Sequence, residues 1–248
     1  MRLSKTALDI GSLNRDDTIK LIQTLEEIER RESRNVFSTL YPDTGPLRRE
    51  LYPKHTEFFA LGKDYNERAL FGGNRSGKTL AGCYETTCHL TGLYPKWWIG
   101  KVFDHPVDWW AAGDTAKTTR NILQRTLVGP PGDQMQWGTG IIPADLIART
   151  TVKHGLPDAI ESIYVKHVSG FRSELQFLSY DQGRQSFQGT GKHGILLDED
   201  CSQDIYVECL IRLMTTKGII SWTATLVEGI TPLMLDFLPA LRPEPEAE

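Results

Sequence analysis

Apolar positions along the chain follow two rhythms. Arg68-Ala69-Leu70-Phe71, Val107-Asp108-Trp109-Trp110-Ala111-Ala112, Gly194-Ile195-Leu196-Leu197-Asp198 and the run from Gly218 to Thr225 are short, nearly continuous apolar stretches. Such runs fit parallel strands covered on both faces. Residues 162–168 and 173–180 instead alternate apolar and polar, which predicts a strand pair joined at Ser169-Gly170. Helical spacing recurs at Ile19, Ile22, Leu25 and Ile28, behind Asn14 as N-cap and Asp16 and Asp17 in the first turn. That helix is expected to end near Ser33 and to dock on its own domain, an arm for a partner being the alternative. Further helices are predicted from Leu80 to Leu90, stopped by Thr91-Gly92, and from Thr115 to about Leu127. A short one is expected over 142–150, behind Pro143. Pro42, Gly45-Pro46 and Pro53 make 36–53 a loop-rich connection, and Gly129-Pro130-Pro131-Gly132 is a loop.

Strands alternating with helices predict an α/β fold with a mostly parallel central sheet flanked by helices. The 248 residues suffice for one such domain with additional pieces. The expected division is an N-terminal helical arm and linker over 1–50, the domain over 51–240 and a flexible Pro-Glu tail over 241–248.

Composition narrows the class. Hydrophobic residues make up 40% and charged ones 24%, ordinary for a globular protein, and the net charge of -4 supplies no global basic field for nucleic acid. No apolar run approaches membrane-spanning length. Cys83, Cys88, Cys201 and Cys209 form no C-x-x-C pair and no zinc spacing, so they read as small buried hydrophobes. Trp97-Trp98 and Trp109-Trp110 read as core or interface packing rather than as platforms for bases.

The strongest chemical signal is Gly72-Gly73-Asn74-Arg75-Ser76-Gly77-Lys78-Thr79, a complete G-x-x-x-x-G-K-[ST] phosphate loop between a strand and a helix. Its glycines let backbone N–H groups converge on an anion, helped by the helix dipole. Lys78 reaches the β- and γ-phosphates of ATP and the Thr79 hydroxyl sits on Mg²⁺. The apolar run ending in Asp198-Glu199 supplies the other half. A parallel strand delivers its carboxyl end to the ligand crevice. There Asp198 would hold Mg²⁺ and Glu199 would take a proton from the attacking water. An acid beside the Mg²⁺ aspartate favours a hydrolytic motor over a kinase, and the strand around Trp109 favours the additional-strand, RecA-like (ASCE) type. The run through Thr223-Ala224-Thr225 ends in hydroxyls at the level of the γ-phosphate.

Ser179-Tyr180-Asp181-Gln182-Gly183-Arg184-Gln185-Ser186-Phe187-Gln188-Gly189, leading into Gly194–Asp200, resembles the large terminase subunit of tailed bacteriophages. So do Asp204-Ile205-Tyr206 and the Gly218 strand leading to Gly229-Ile230-Thr231-Pro232-Leu233. Tyr52-Pro53-Lys54-His55-Thr56-Glu57-Phe58-Phe59 is similar to the segment that family places near adenine. The resemblance implies a P-loop ATPase that hydrolyses ATP to drive double-stranded DNA into a procapsid. It would work as a ring on the portal protein with a small terminase subunit, in the host cytoplasm and outside the mature virion. By position it implies Lys78 and Thr79 for phosphate and Mg²⁺, Asp198 for Mg²⁺, Glu199 as catalytic base and Thr223, Ala224 and Thr225 as coupling motif. His55 or a neighbour stands where the family often has a Gln against adenine, and Leu226 stands where it commonly has Pro. A transition-state arginine is expected: Arg75 in cis, Arg120 across a subunit boundary, or Arg184. The RNase H-like nuclease that usually follows in the family is not expected within these residues. The alternatives are a helicase-like, nucleic-acid-stimulated ATPase and an inactive assembly module that binds nucleotide only to hold its shape.

Overall fold

The structure is a computed structural model that describes residue 14 and residues 16–24, 35–226 and 229–238. Helix α1 (16–24) is capped by Asn14, whose Oδ1 accepts a hydrogen bond from the Asp17 amide at 2.9 Å. The predicted continuation to Ser33, with Leu25 and Ile28, lies outside the described residues. Ile19 and Ile22 are 45% and 48% exposed, so the expected docking of this apolar face on the domain does not occur in α1.

The domain proper then runs α2 (Val36–Thr39), α3 (Pro53–Leu61), β1 (Glu67–Gly72), α4 (Lys78–Thr91), β2 (Asp108–Gly113) and α5 (Ala116–Thr119). A π-helical stretch, Arg120–Gln124, carries α5 into α6 (Arg125–Leu127). The remainder is β3 (Ile147–Val152), β4 (Ile160–Lys166), β5 (Arg172–Ser179), β6 (Gly194–Asp198), α7 (Gln203–Met214), β7 (Ile219–Thr225) and α8 (Pro232–Phe237). The strands make one seven-stranded sheet in the order β1-β7-β6-β2-β5-β4-β3. From β1 to β5 every neighbouring pair is parallel, while β5, β4 and β3 are joined antiparallel.

Alternation along the central strands creates two cores. Trp109, Ala111, Leu196 and Ile219 face α3 and α4, packing with Phe58, Phe59, Tyr84 and Cys88. Trp110, Ala112, Leu197, Trp222 and Ala224 face α7 and α8, packing with Ile205, Tyr206 and Met234. The sheet is therefore covered on both faces, which is why its central strands read as unbroken apolar runs. All four cysteines are free and buried. Trp98, Trp109 and Trp110 are buried too.

The helix expected over 142–150 is a correction. Only Ala144–Leu146 turns, as a 3-10 helix behind Pro143, and β3 follows antiparallel to β4. Four of its six residues (Ile147, Thr150, Thr151 and Val152) are β-branched and suit a pleated strand. Inside the expected loop, 36–53, Val36–Thr39 forms the short helix α2, and Pro53, the last residue of that loop, starts α3 at the first helical position. Among the described residues no helix is long and apolar enough to cross a membrane.

Candidate nucleotide site

Strand β1 delivers the phosphate loop and α4 leaves it, with Lys78 and Thr79 as the first two helical residues. Gly77, the N-cap, has φ +82, and a Cβ there would meet His55 Cε1 at 3.0 Å. The loop is held from behind by that histidine. His55 Nε2 donates to the Ser76 carbonyl at 3.1 Å, and its Nδ1 accepts from the Tyr41 hydroxyl at 2.9 Å. A carbonyl only accepts, so the neutral ring must carry its proton on Nε2. Burial lowers the His55 pKa and favours that neutral form. Lys78, almost fully buried, donates from Nζ to the Gly73 carbonyl at 2.8 Å, holding its ammonium over the loop. Arg75 lies at the exposed crest with φ 62, a left-handed conformation uncommon outside glycine.

Both carboxylates arrive at the end of β6, which is separated from β1 by β7. Asp198 ends β6 opposite Thr223 of β7. Its Oδ1 accepts from Thr79 Oγ1 at 2.8 Å and from Thr223 Oγ1 at 2.6 Å. Burial pushes the Asp198 carboxyl up to about 6, although the two hydroxyls and Lys78 oppose the shift. Directly after the strand, Glu199 takes φ 68. This turn frees its side chain from strand alternation. Glu199 Oε2 accepts from the Thr225 amide and Oε1 from the Thr225 hydroxyl, both at 3.2 Å. Its backbone is pinned as well: the amide donates to Thr223 O at 2.7 Å, and Trp222 Nε1 donates to its carbonyl at 2.8 Å. Tyr180 donates to the Asp198 carbonyl at 3.0 Å.

The structure thus brings Lys78, Thr79, Asp198, Glu199, Thr223 and Thr225 to one end of the sheet. Asp198 and Glu199 open on a cavity of about 150 Å³ that also includes Gly113, Asp114 and Thr118. A larger cleft of about 490 Å³, between α3, β1 and α8, contains none of these groups, so size alone does not mark the site. Because Thr79 gives its proton to Asp198, lone pairs on its oxygen are left for a cation. Among the described residues no set of three His, Cys, Asp or Glu side chains gathers for a metal. A Mg²⁺ that keeps its waters and takes its other ligands from phosphates needs no such set.

Other expected residues sit differently. His55 has both ring nitrogens committed to protein partners, so it braces the loop instead of offering a polar edge to adenine. Ala224 points to the opposite core, against α7 and α8. Arg120 donates to the Pro157 carbonyl at 2.7 Å, on the connection between β3 and β4. Arg184 pairs with the buried Glu208 at 3.0 Å and is engaged there, not at the loop. Tyr41, Tyr180 and Trp222 are not legible in the sequence as site residues. No motif assigns them a site role, and only the fold shows where their polar tips go.

The family model for the terminase large subunit, T4likevirus-type, N-terminal, matches residues 69–247, which include the phosphate loop, the carboxylate pair and β7. The chain belongs to this family. The terminase large subunit of Salmonella phage P22 is 31% identical over 246 residues, covering 92% of this chain and 48% of that protein. The chain therefore spans about half the length of this curated relative. The large terminase ATPase domain of Thermus phage P74-26 overlaps at 15% identity, 64% of this chain, 58% of that one and TM-score 0.43. The large terminase of another thermophilic bacteriophage, solved in complex with ADP, overlaps at 15% identity, 69% of this chain, 37% of that one and TM-score 0.44.

Proposed function

We propose that this chain is the ATP-hydrolysing part of a viral DNA-packaging motor, built as a RecA-like P-loop ATPase that takes ATP with Mg²⁺. The observation that carries this reading is the 2.8 Å bond between Thr79 and Asp198, which closes the phosphate loop onto the acid pair. The 72–79 loop with Lys78 binds and orients the triphosphate. Bound Mg²⁺ would supply charge neutralisation on the phosphate oxygens, held by Thr79 and Asp198. Glu199 accepts the proton of the attacking water, and Thr225, which grips both Glu199 oxygens, reports the state of the site to β7. Arg75, exposed on the loop, is the arginine best placed to meet the γ-phosphate in cis. Arg120 reaches a neighbouring subunit only by giving up Pro157.

The partners that fit this role are double-stranded DNA, a portal protein, a small terminase subunit and further copies of the chain in a ring, working in the host cytoplasm. The domain is assigned to 51–240. Family membership supports the packaging role. Phosphate release from Mg·ATP, measured with and without double-stranded DNA, tests the reading. Hydrolysis that requires Mg²⁺ and rises with DNA is the expected result. A chain that binds nucleotide without turnover under either condition would refute it.

A further inference from the structure

Beneath the phosphate site, two turns along α4, lies a buried charge network with no place in the hydrolysis chemistry. Arg68 on β1 and Glu85 on α4 are 4% and 0% exposed. Arg68 Nη2 lies 3.0 Å from Glu85 Oε1 and 3.1 Å from Oε2. Ser221 on β7, paired in register with Arg68, accepts from Nη2 at 3.1 Å and donates to Glu85 Oε2 at 2.8 Å. Arg68 Nη1 donates to the Phe58 carbonyl of α3 at 2.6 Å, with the guanidinium over the Phe58 ring. Burial alone would raise the Glu85 pKa; Arg68 beside it, with His89 and Ser221, outweighs burial and keeps it lowered.

A buried ion pair is weak support for stability, because desolvation offsets much of the attraction. Its best-attested use is to fix one arrangement among several. Here it ties together four elements, and each carries a member of the site. Ser221 is two residues before Thr223 on the same face of β7, and Thr223 holds Asp198. Glu85 is seven residues after Lys78, two turns along α4, so both stand on one side of that helix. Phe58 is one turn after His55 on α3, and His55 supports Ser76. Arg68 itself lies on the strand that runs into the loop. Between the two layers, Gly82 lets α4 approach the sheet so closely that a Cβ would lie 2.5 Å from Leu196 Cδ1 and 3.3 Å from the Thr223 methyl. Such apolar contacts resist separation but permit a helix to slide or rotate. A guanidinium held through Nη2 by a carboxylate and a hydroxyl, and through Nη1 by the Phe58 carbonyl, does not.

We propose that Arg68, Glu85 and Ser221 are positioning residues of the nucleotide site, setting the register of α4 against β1 and β7 so that Thr79 meets Asp198. This rests on the hydrolysis reading above. Loss of the network would let Lys78 and Thr79 drift relative to the carboxylates. Nucleotide affinity, which depends mainly on the loop backbone, would change less than turnover.

The test compares kcat, KM for Mg·ATP, affinity for a fluorescent ADP analogue and Tm in the full chain. The variants are Ser221→Ala, Glu85→Gln and the double replacement Arg68→Met with Glu85→Leu. Removing both charges leaves no unpaired charge in the core, so the double variant should recover Tm relative to Glu85→Gln. The expected result is kcat lowered roughly tenfold or more in Glu85→Gln and in the double variant, because small misplacements of reacting groups are costly. Ser221→Ala should lose about threefold or more, with ADP affinity within about threefold of wild type throughout. Wild-type kcat in Ser221→Ala, or in a double variant whose Tm has recovered, would overturn the proposal. If the charge variants do not fold, Ser221→Ala alone decides, since it removes one hydroxyl and leaves the ion pair. Absence of hydrolysis by the wild-type chain would instead refute the functional reading itself.

Discussion

Replacing Thr223 by Val removes the shortest hydrogen bond to Asp198 while keeping the side-chain shape. Both residues are nearly fully buried, and Thr223 Oγ1 lies 2.6 Å from Asp198 Oδ1. A hydrogen bond to a charged group contributes about 1.5–3 kcal/mol. One pKa unit corresponds to about 1.4 kcal/mol, so losing the bond should raise the Asp198 pKa by roughly one to two units. Starting from about 6 in the metal-free protein, it would reach roughly 7–8. Asp198 binds a cation as the carboxylate, so a proton competes with Mg²⁺. At pH 7 the ionised fraction would fall about two- to tenfold, and the affinity for Mg·ATP with it. At pH 9 the carboxylate is ionised again and affinity should return to near wild type. Calorimetric titration of Mg·ATP between pH 5.5 and 9 reads this directly. An unchanged pH profile in Thr223→Val would refute the hydroxyl's part in holding the charge of Asp198.

His55 and Gly82 support the site from outside its chemistry. The pKa of His55 is lowered in the folded protein, so the unfolded chain takes up its proton first. The stability this neutral brace contributes is complete above the unfolded pKa, about 6.5, and is lost as pH falls through the folded value. Denaturant titrations should therefore show an acid-side loss of stability that is absent in His55→Gln; identical pH slopes in the two proteins would contradict the brace. Gly82→Ala puts a methyl into Leu196 and should destabilise by about 1–3 kcal/mol, seen as a lower denaturation midpoint at unchanged m-value. An unshifted midpoint would show that α4 does not approach the sheet so closely.

What is legible in the sequence follows from how local each signal is. The phosphate loop is contiguous, and its strand and helix carry their own periodicities, so 68–91 is readable without tertiary information. Asp198 and Glu199 are legible because a doubly buried strand must be apolar to its end, which makes two terminal acids conspicuous. The turn that points Glu199 away from the strand is a backbone torsion, however, and no residue type announces it. Residues 147–152 mislead because Pro143 and Ala144 suggest a helix start, while strand pairing with 160–166 is a long-range matter. Helix α3 and the role of His55 are hidden for the same reason: Tyr41, His55 and Ser76 meet across 35 residues of sequence. The exposed faces of Ile19 and Ile22 show the limit of amphipathic patterning, which gives the apolar stripe of a helix and not the surface it meets.

Lys78, Thr79, Asp198 and Glu199 must all act on one bound triphosphate for the chain to hydrolyse ATP as proposed. The most direct measurement is turnover and nucleotide affinity in Glu199→Gln, an isosteric change that keeps hydrogen bonding and removes the base. ATP affinity should stay near wild type while turnover falls roughly 10²–10⁴-fold, the range for a removed general base. Turnover close to wild type in that variant would contradict this assignment.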